Sequence, residues 1–226
     1  MDIQDIDGHI IYTGDTSSLE FIKYLFSVKE DIPLAFADPP YNAHVAAWDE
    51  NFTWRHDYLT DFADIVAVTP GMASIKDFMR LTSMSYQWSM SYFINNGLTH
   101  GAIGFANWIY VALFGQGSIY RAKQDCKTIS IYRRDALKYP HKGQKPLAMM
   151  RHIIELFTEE GDIVLDPFMG SGSTLIACHD LGRRCITGDI SELFVEQAIE
   201  RYCDYTSVST LHRRVSKFKG WNEKTR

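Results

Sequence analysis

The sequence predicts an α/β fold built on a doubly wound, mostly parallel sheet, and three observations point to it. Short apolar runs of strand length stop at turn residues, stretches with helical spacing of apolar residues lie between them, and two acidic motifs stand directly after such runs. With 226 residues and 46% apolar content, the chain suits one well-buried domain, 1–226, and is short for two.

Taken in order, Leu34-Ala35-Phe36-Ala37 reads as a buried strand that ends at Asp38-Pro39-Pro40. Ile65-Val66-Ala67-Val68-Thr69 is a second, stopped by Pro70-Gly71. The runs 108–114 and 128–132 are strand-like and joined through Gly115-Gln116-Gly117; they read as a strand pair near the sheet edge. Pro146 suits a first helical position, and Leu147, Met150, Ile153, Ile154 and Phe157 follow at helical spacing. Ile163-Val164-Leu165 is a strand entered through Gly161-Asp162 and stopped by Asp166-Pro167. A helix over 174–181, a strand over 184–187 closing at Gly188-Asp189, and a helix over 193–202 behind a Ser191 cap complete the pattern. Parallel sheets of this kind bind ligands beyond the carboxyl ends of their strands. Asp38 and Asp166, with 127 residues between them, therefore face one cleft.

The first glycine-rich turn of interest runs Asp166-Pro167-Phe168-Met169-Gly170-Ser171-Gly172-Ser173-Thr174, between a strand and a helix, where backbone approaches a ligand closely. It departs from the dinucleotide G-x-G-x-x-G because no third glycine follows. Asp189, 17 positions after Gly172, stands where a carboxylate that accepts from ribose hydroxyls is expected. The second motif, Asp38-Pro39-Pro40-Tyr41, answers a different need. An exocyclic amino nitrogen is a poor nucleophile while its lone pair is delocalised into the ring. Asp38 and a backbone carbonyl, that of Pro39, accept both amino hydrogens and draw the nitrogen toward sp³ character. The prolines fix the backbone so that these acceptors converge, and Tyr41 suits stacking on a base taken out of a duplex.

In this order the motifs resemble the permuted β-class of DNA amino-methyltransferases, in which the catalytic motif precedes the cofactor motif. Tyr12-Thr13-Gly14-Asp15 resembles the opening Gly-Asp element of that family, and Asp38-Pro39-Pro40-Tyr41-Asn42 its catalytic motif. His141-Lys142-Gly143-Gln144-Lys145-Pro146 resembles the element that leads into a helix beside the methionine end of the cofactor. The stretches 161–174 and 182–189 resemble the cofactor loop and the ribose-binding element. The resemblance implies a Rossmann-like methyltransferase fold with seven strands in the order 3-2-1-4-5-7-6, strand 7 antiparallel. It also implies S-adenosylmethionine as cofactor, held by Asp15, Asp38, Lys145, Pro146, Asp166, Phe168, Gly170, Ser171, Gly172, Ser173, Thr174 and Asp189, with Asp15 on the adenine. Catalysis falls to Asp38, Pro39, Pro40 and Tyr41. Asp at the first position of that motif is typical of adenine-N6 enzymes and Ser of cytosine-N4 enzymes, so the expected reaction is site-specific methylation of adenine N6 in DNA, as in restriction-modification. Cytosine N4 is the alternative, followed by an RNA methyltransferase or an accessory subunit that needs a partner.

A net charge of −5 hides the distribution that a DNA backbone would feel. Residues 1–66 carry thirteen Asp/Glu against three Lys/Arg, whereas 121–145 carry eight Lys/Arg against Asp125 and Asp135. Tyr120, Tyr132 and Tyr139 interleave the basic stretch, which makes Arg121, Lys123, Arg133, Arg134, Lys138 and Lys142 the candidate DNA contacts in a segment of about 115–145. A basic tail at about 204–226 is a second candidate surface. The interval 115–140 is short for a target-recognition region, so either sequence specificity is low, or a homodimer, a partner subunit or the tail shares base readout. His44, Trp48, Trp54 and His56 are candidates for a loop closing on the base. Cys126, Cys178, Cys185 and Cys203 show no zinc spacing and read as reduced, mostly buried thiols; no metal is expected. No signal peptide or apolar run of membrane-spanning length is present, which suggests a cytoplasmic protein of prokaryotic or phage type.

Overall fold

The first strands, β1 (Asp2–Ile6) and β2 (His9–Thr13), pair antiparallel around Asp7-Gly8. Both turn residues have positive φ, 53° and 81°, the geometry that matches hairpin twist. The computed structural model describes residues 2–42, 51–96, 99–101, 104–119, 123–130, 143–207 and 214–217. Helix α1 (Leu19–Ser27) is capped by the Ser18 hydroxyl, which accepts from the Phe21 N–H, and leads to β3 (Ile32–Ala37). The short α2 (Leu59–Phe62), β4 (Ala63–Val68), α3 (Ile75–Leu81) and β5 (Tyr86–Ile94) follow. After a two-stranded ribbon, β6 (Thr99–Gly101) and β7 (Gly104–Ala106), come β8 (Trp108–Gly115) and β9 (Cys126–Ile129). The remainder is α4 (Leu147–Phe157), β10 (Ile163–Asp166), α5 (Ser173–Asp180), β11 (Arg184–Asp189), α6 (Glu192–Thr206) and β12 (Arg214–Lys217).

Ten strands form one sheet in the order β12-β1-β2-β11-β10-β3-β4-β8-β5-β9. Its consecutive members β2-β11-β10-β3-β4-β8-β5 reproduce the expected seven-strand order, with β8 the antiparallel member in the seventh-strand place. The hairpin partners β12 and β1 extend one edge and β9 the other, so the sheet has three strands more than expected. Alternation along the strands serves two layers. Leu34, Phe36, Ile65 and Ala67 face α4, α5 and α6 through Met149, Ile153, Leu175 and Ile199, while Ala35, Ala37, Val66 and Val68 face Phe21, Leu25, Leu59 and Phe78 of α1, α2 and α3. None of the described helices is long and apolar enough to cross a membrane.

One expectation fails. The runs near 108–114 and 128–132 are not a pair: β8 lies between β4 and β5, and β9 joins the far side of β5 in parallel. The strand between them escaped notice because Gln87, Ser89 and Ser91 dilute its apolar content. Its inward side, Met90, Tyr92 and Ile94, nevertheless packs in the core. Of the four free thiols, Cys178 and Cys185 are buried, Cys203 is half-buried and Cys126 is exposed.

Candidate active site

The four parallel neighbours β2, β11, β10 and β3 end on the same edge of the sheet, and each delivers a carboxylate there: Asp15, Asp189, Asp166 and Asp38. All four line one cavity of about 360 Å³, within the range of small-molecule sites. Pro39, Pro40, Tyr41, Lys145, Phe168, Gly170, Ser171, Ser173 and Thr174 share that lining. Two residues expected to hold cofactor are not among those lining the cavity. Gly172, at φ 74°, turns the chain into α5 with its α-carbon packed toward Ala198, and Pro146 caps α4. Each shapes the site through the backbone rather than by facing it.

Asp38 accepts hydrogen bonds from three side chains of the site. Its Oδ1 accepts from the Tyr41 phenol and, at 2.5 Å, from the Thr69 hydroxyl; its Oδ2 accepts from the Lys145 ammonium. The Thr69 N–H donates to Ala37 O at 2.9 Å, so the end of β4 fixes both the backbone before Asp38 and the carboxylate itself. Burial and the Asp38 charge push the Tyr41 phenol up to about 12, which keeps it a proton donor at neutral pH. Burial alone would lower the Lys145 pKa, but Asp38 and Tyr41 more than offset it, and the ammonium is held above its ordinary value. The Lys145 Nζ also stands 5.3 Å from the Tyr41 ring centroid. Behind that ring Gly71, at φ 73°, leaves room: a β-carbon there would come within 2.7 Å of it.

Asp15 accepts from the Ser17 N–H at 2.8 Å and hydroxyl at 2.7 Å; burial opposes its charge, but these bonds win and its pKa falls. Asp189 accepts from Gly170 N–H at 3.0 Å and Ser191 N–H at 2.9 Å, clamping the glycine-rich turn, and burial still raises its pKa. Asp166 is driven to about 7 by burial, against the Thr174 hydroxyl and the Phe168 N–H that favour its charge and with Asp38 and Asp189 adding to the rise. His56 is buried and lowered to about 4, chiefly by desolvation. The Thr16 hydroxyl donates to Pro167 O at 2.9 Å, so it accepts from His56 Nε2–H at 3.0 Å. That tautomer leaves Nδ1 a bare acceptor, with no hydrogen-bond partner among the described residues. The donor set therefore fits a cationic ligand that carries ribose hydroxyls and amino hydrogens: three carboxylates, the buried carboxyl of Asp166 and a neutral imidazole against two cations, Lys145 and Arg55, among the described residues of the lining.

Trp54 does not line the cavity but packs behind His56 and Phe168, which do. It is buried against Phe78, and its indole N–H donates to Asp57 at 2.6 Å. His44, Trp48, Arg121, Arg133, Arg134, Lys138 and Lys142 lie outside the described residues; Lys123 is exposed and away from the cavity. Sequence reasoning missed Thr69, Thr16 and Arg55. For Thr69 the only signal was its place at a strand end beside Asp38's strand.

The DNA methylase family model for N6 and N4 methyltransferases matches residues 81–200. Among curated proteins, the chain is 47% identical over 62 residues to type II methyltransferase M.HpaI of Haemophilus parainfluenzae, covering 27% of this chain and 20% of that protein. It is 54% identical over 46 residues to M.HindIII of Haemophilus influenzae, covering 20% and 15%. The chain thus spans about a fifth or less of these relatives' lengths. Among solved structures, the M1.HpyAVI–SAM complex superposes with TM-score 0.64 at 22% identity over 84% of this chain and 97% of that one. The cytosine-N4-specific PvuII DNA methyltransferase superposes with TM-score 0.63 at 16% identity over 90% and 92%. These two likenesses are of fold.

Proposed function

Since the chain belongs to the DNA methylase family of N6 and N4 methyltransferases, we propose that it transfers the methyl group of S-adenosylmethionine to the exocyclic N6 of adenine in DNA. The observation that carries this reading is the state of Asp38: a carboxylate offers about four lone-pair sites, and Tyr41, Thr69 and Lys145 occupy three. Among the described residues nothing else bonds it, which leaves one site for an amino hydrogen, and the Pro39 carbonyl is the natural acceptor for the other.

The cofactor supplies an electrophilic methyl on a sulfonium. Asp15 and His56 suit its adenine, Asp189 its ribose, and Lys145 with the Gly170–Ser173 turn its methionine end. This chain's own contribution is orientation and charge. Asp38 and the Pro39 carbonyl draw the amino nitrogen toward sp³ geometry, and Asp38 offsets the positive charge that arrives there. Tyr41, backed by Gly71, offers a ring on which a base turned out of the duplex stacks. The basic segment 115–145, with Arg121, Lys123, Arg133, Arg134, Lys138 and Lys142, and the tail 204–226 serve the DNA backbone in the single domain 1–226. A second copy or a partner subunit supplies the remaining base readout. The motif's leading Asp favours adenine over cytosine.

Incubating DNA of mixed sequence with methyl-labelled cofactor, digesting it and identifying the labelled nucleoside tests the reading. N6-methyldeoxyadenosine is expected. N4-methyldeoxycytidine would move the target base, and label found only in RNA would overturn the substrate class. In the same assay Asp38→Ala is expected to abolish transfer while the protein still binds cofactor.

A further inference from the structure

We propose that Lys145 is a positioning residue shared between two carboxylates, passing from Asp38 to the methionine carboxylate of S-adenosylmethionine, so that cofactor binding frees Asp38 for the base. The inference rests on the cofactor reading given above. Three observations carry it.

The first is electrostatic. Methyl transfer moves positive charge from sulfur onto the amino nitrogen, and Asp38 is the group placed to offset it. An ammonium bonded to the same carboxylate cancels that benefit where charge develops, in a buried site where Coulomb interactions are strong. A Lys145 that stayed on Asp38 would oppose the reaction.

The second is the charge inventory of the cavity. Among its described lining residues only Lys145 and Arg55 are cations. Arg55 is exposed and acts on Asp15, whereas Lys145 is buried, with its backbone bonded to Ser173 of that turn. A ligand carboxylate near the glycine-rich turn therefore finds its counter-charge in Lys145.

The third is mechanical. The Ser173 hydroxyl donates to Lys145 O at 3.0 Å, so the lysine backbone is tied to the start of α5 beside that turn. Its four-carbon stem has the rotatable bonds to carry the ammonium from Asp38 and from the Gly143 carbonyl, 3.3 Å away, while the backbone stays fixed. A buried ammonium needs an anion at either position, and an exchange of carboxylates provides one throughout.

Binding of S-adenosylhomocysteine and of 5′-methylthioadenosine, which lacks the methionine carboxylate, separates the alternatives by calorimetry. Lys145→Met is expected to weaken S-adenosylhomocysteine about tenfold or more and methylthioadenosine by less than about twofold. Asp38→Asn should strengthen S-adenosylhomocysteine about threefold or more, because it releases Lys145. That gain must vanish in the Asp38→Asn/Lys145→Met double variant. If Lys145→Met weakens both ligands equally, or the gain survives in the double variant as simple relief of repulsion, the shared-lysine proposal is wrong. Lys145→Gln replaces Lys145→Met if the latter fails to fold. If the unaltered protein binds neither ligand, the cofactor reading itself falls, and the proposal with it.

Discussion

Asp166 ends its strand inside the protein, and its carboxyl is almost wholly withdrawn from solvent with a pKa of about 7. A carboxyl raised from 3.8 favours folding while protonated. That contribution is fully present below about pH 4 and is lost as pH rises through about 7, a span of ~4 kcal/mol. Asp166→Asn keeps an acceptor for the Phe168 N–H without the charge. Its melting temperature relative to the unaltered protein should rise by about 5 °C or more between pH 5 and pH 8, measured without cofactor. A difference that does not move with pH would show that Asp166 is not the buried acid. Residues of this kind were legible in the sequence: Asp38, Asp166 and Asp189 stand directly at strand ends, where backbone direction alone sends them to one edge. Thr69 was not legible as a partner of Asp38, because 31 positions separate them and only pairing of β3 with β4 brings them together.

The turn after β4 shows how one connection shapes the site. Thr69 holds Asp38 from its side, and Gly71 makes the space that Tyr41 occupies. Gly71→Ala adds left-handed strain of about 1–2 kcal/mol and a collision with the ring. We expect methyl transfer to fall at least tenfold, a barrier rise of about 1.4 kcal/mol, with S-adenosylhomocysteine binding within about twofold of the unaltered protein. Gly8→Ala is the matched control. It has φ 81° in the β1–β2 hairpin but no atom within 4 Å of the new β-carbon, so it should cost stability and spare activity. Parallel kinetics for the two variants check this, and equal losses would mean that strain rather than Tyr41 placement is responsible. At this scale α4, α5 and α6 and the strands β3, β4, β10 and β11 were readable from the apolar pattern, whereas β2 and α1 to α3 were not. β5 was not, because a strand with one partly exposed face carries serine and glutamine, and its identity depends on the neighbours β8 and β9.

Over the whole molecule, acidic residues crowd 1–66 and basic ones 121–145, so a net charge of −5 does not oppose DNA binding. Replacing Arg133, Arg134 and Lys138 with neutral residues should weaken DNA binding and reduce the slope of log affinity against log salt by about two to three units, roughly 0.9 for each phosphate no longer neutralised. Titrations over a range of salt concentrations measure it, and an unchanged slope would remove these residues from the interface. The sequence by itself determined the fold class, the family resemblance, and the pair of acidic motifs at one sheet edge. Those rest on short-range geometry: a strand, a proline or glycine turn, and a helix start are written in neighbouring residues. Only the tertiary structure decided that Lys145, 107 positions from Asp38, holds the Asp38 carboxylate together with Thr69 and Tyr41. Such a pairing depends on which strands lie side by side and on burial that makes an unpaired charge costly, and neither is encoded locally.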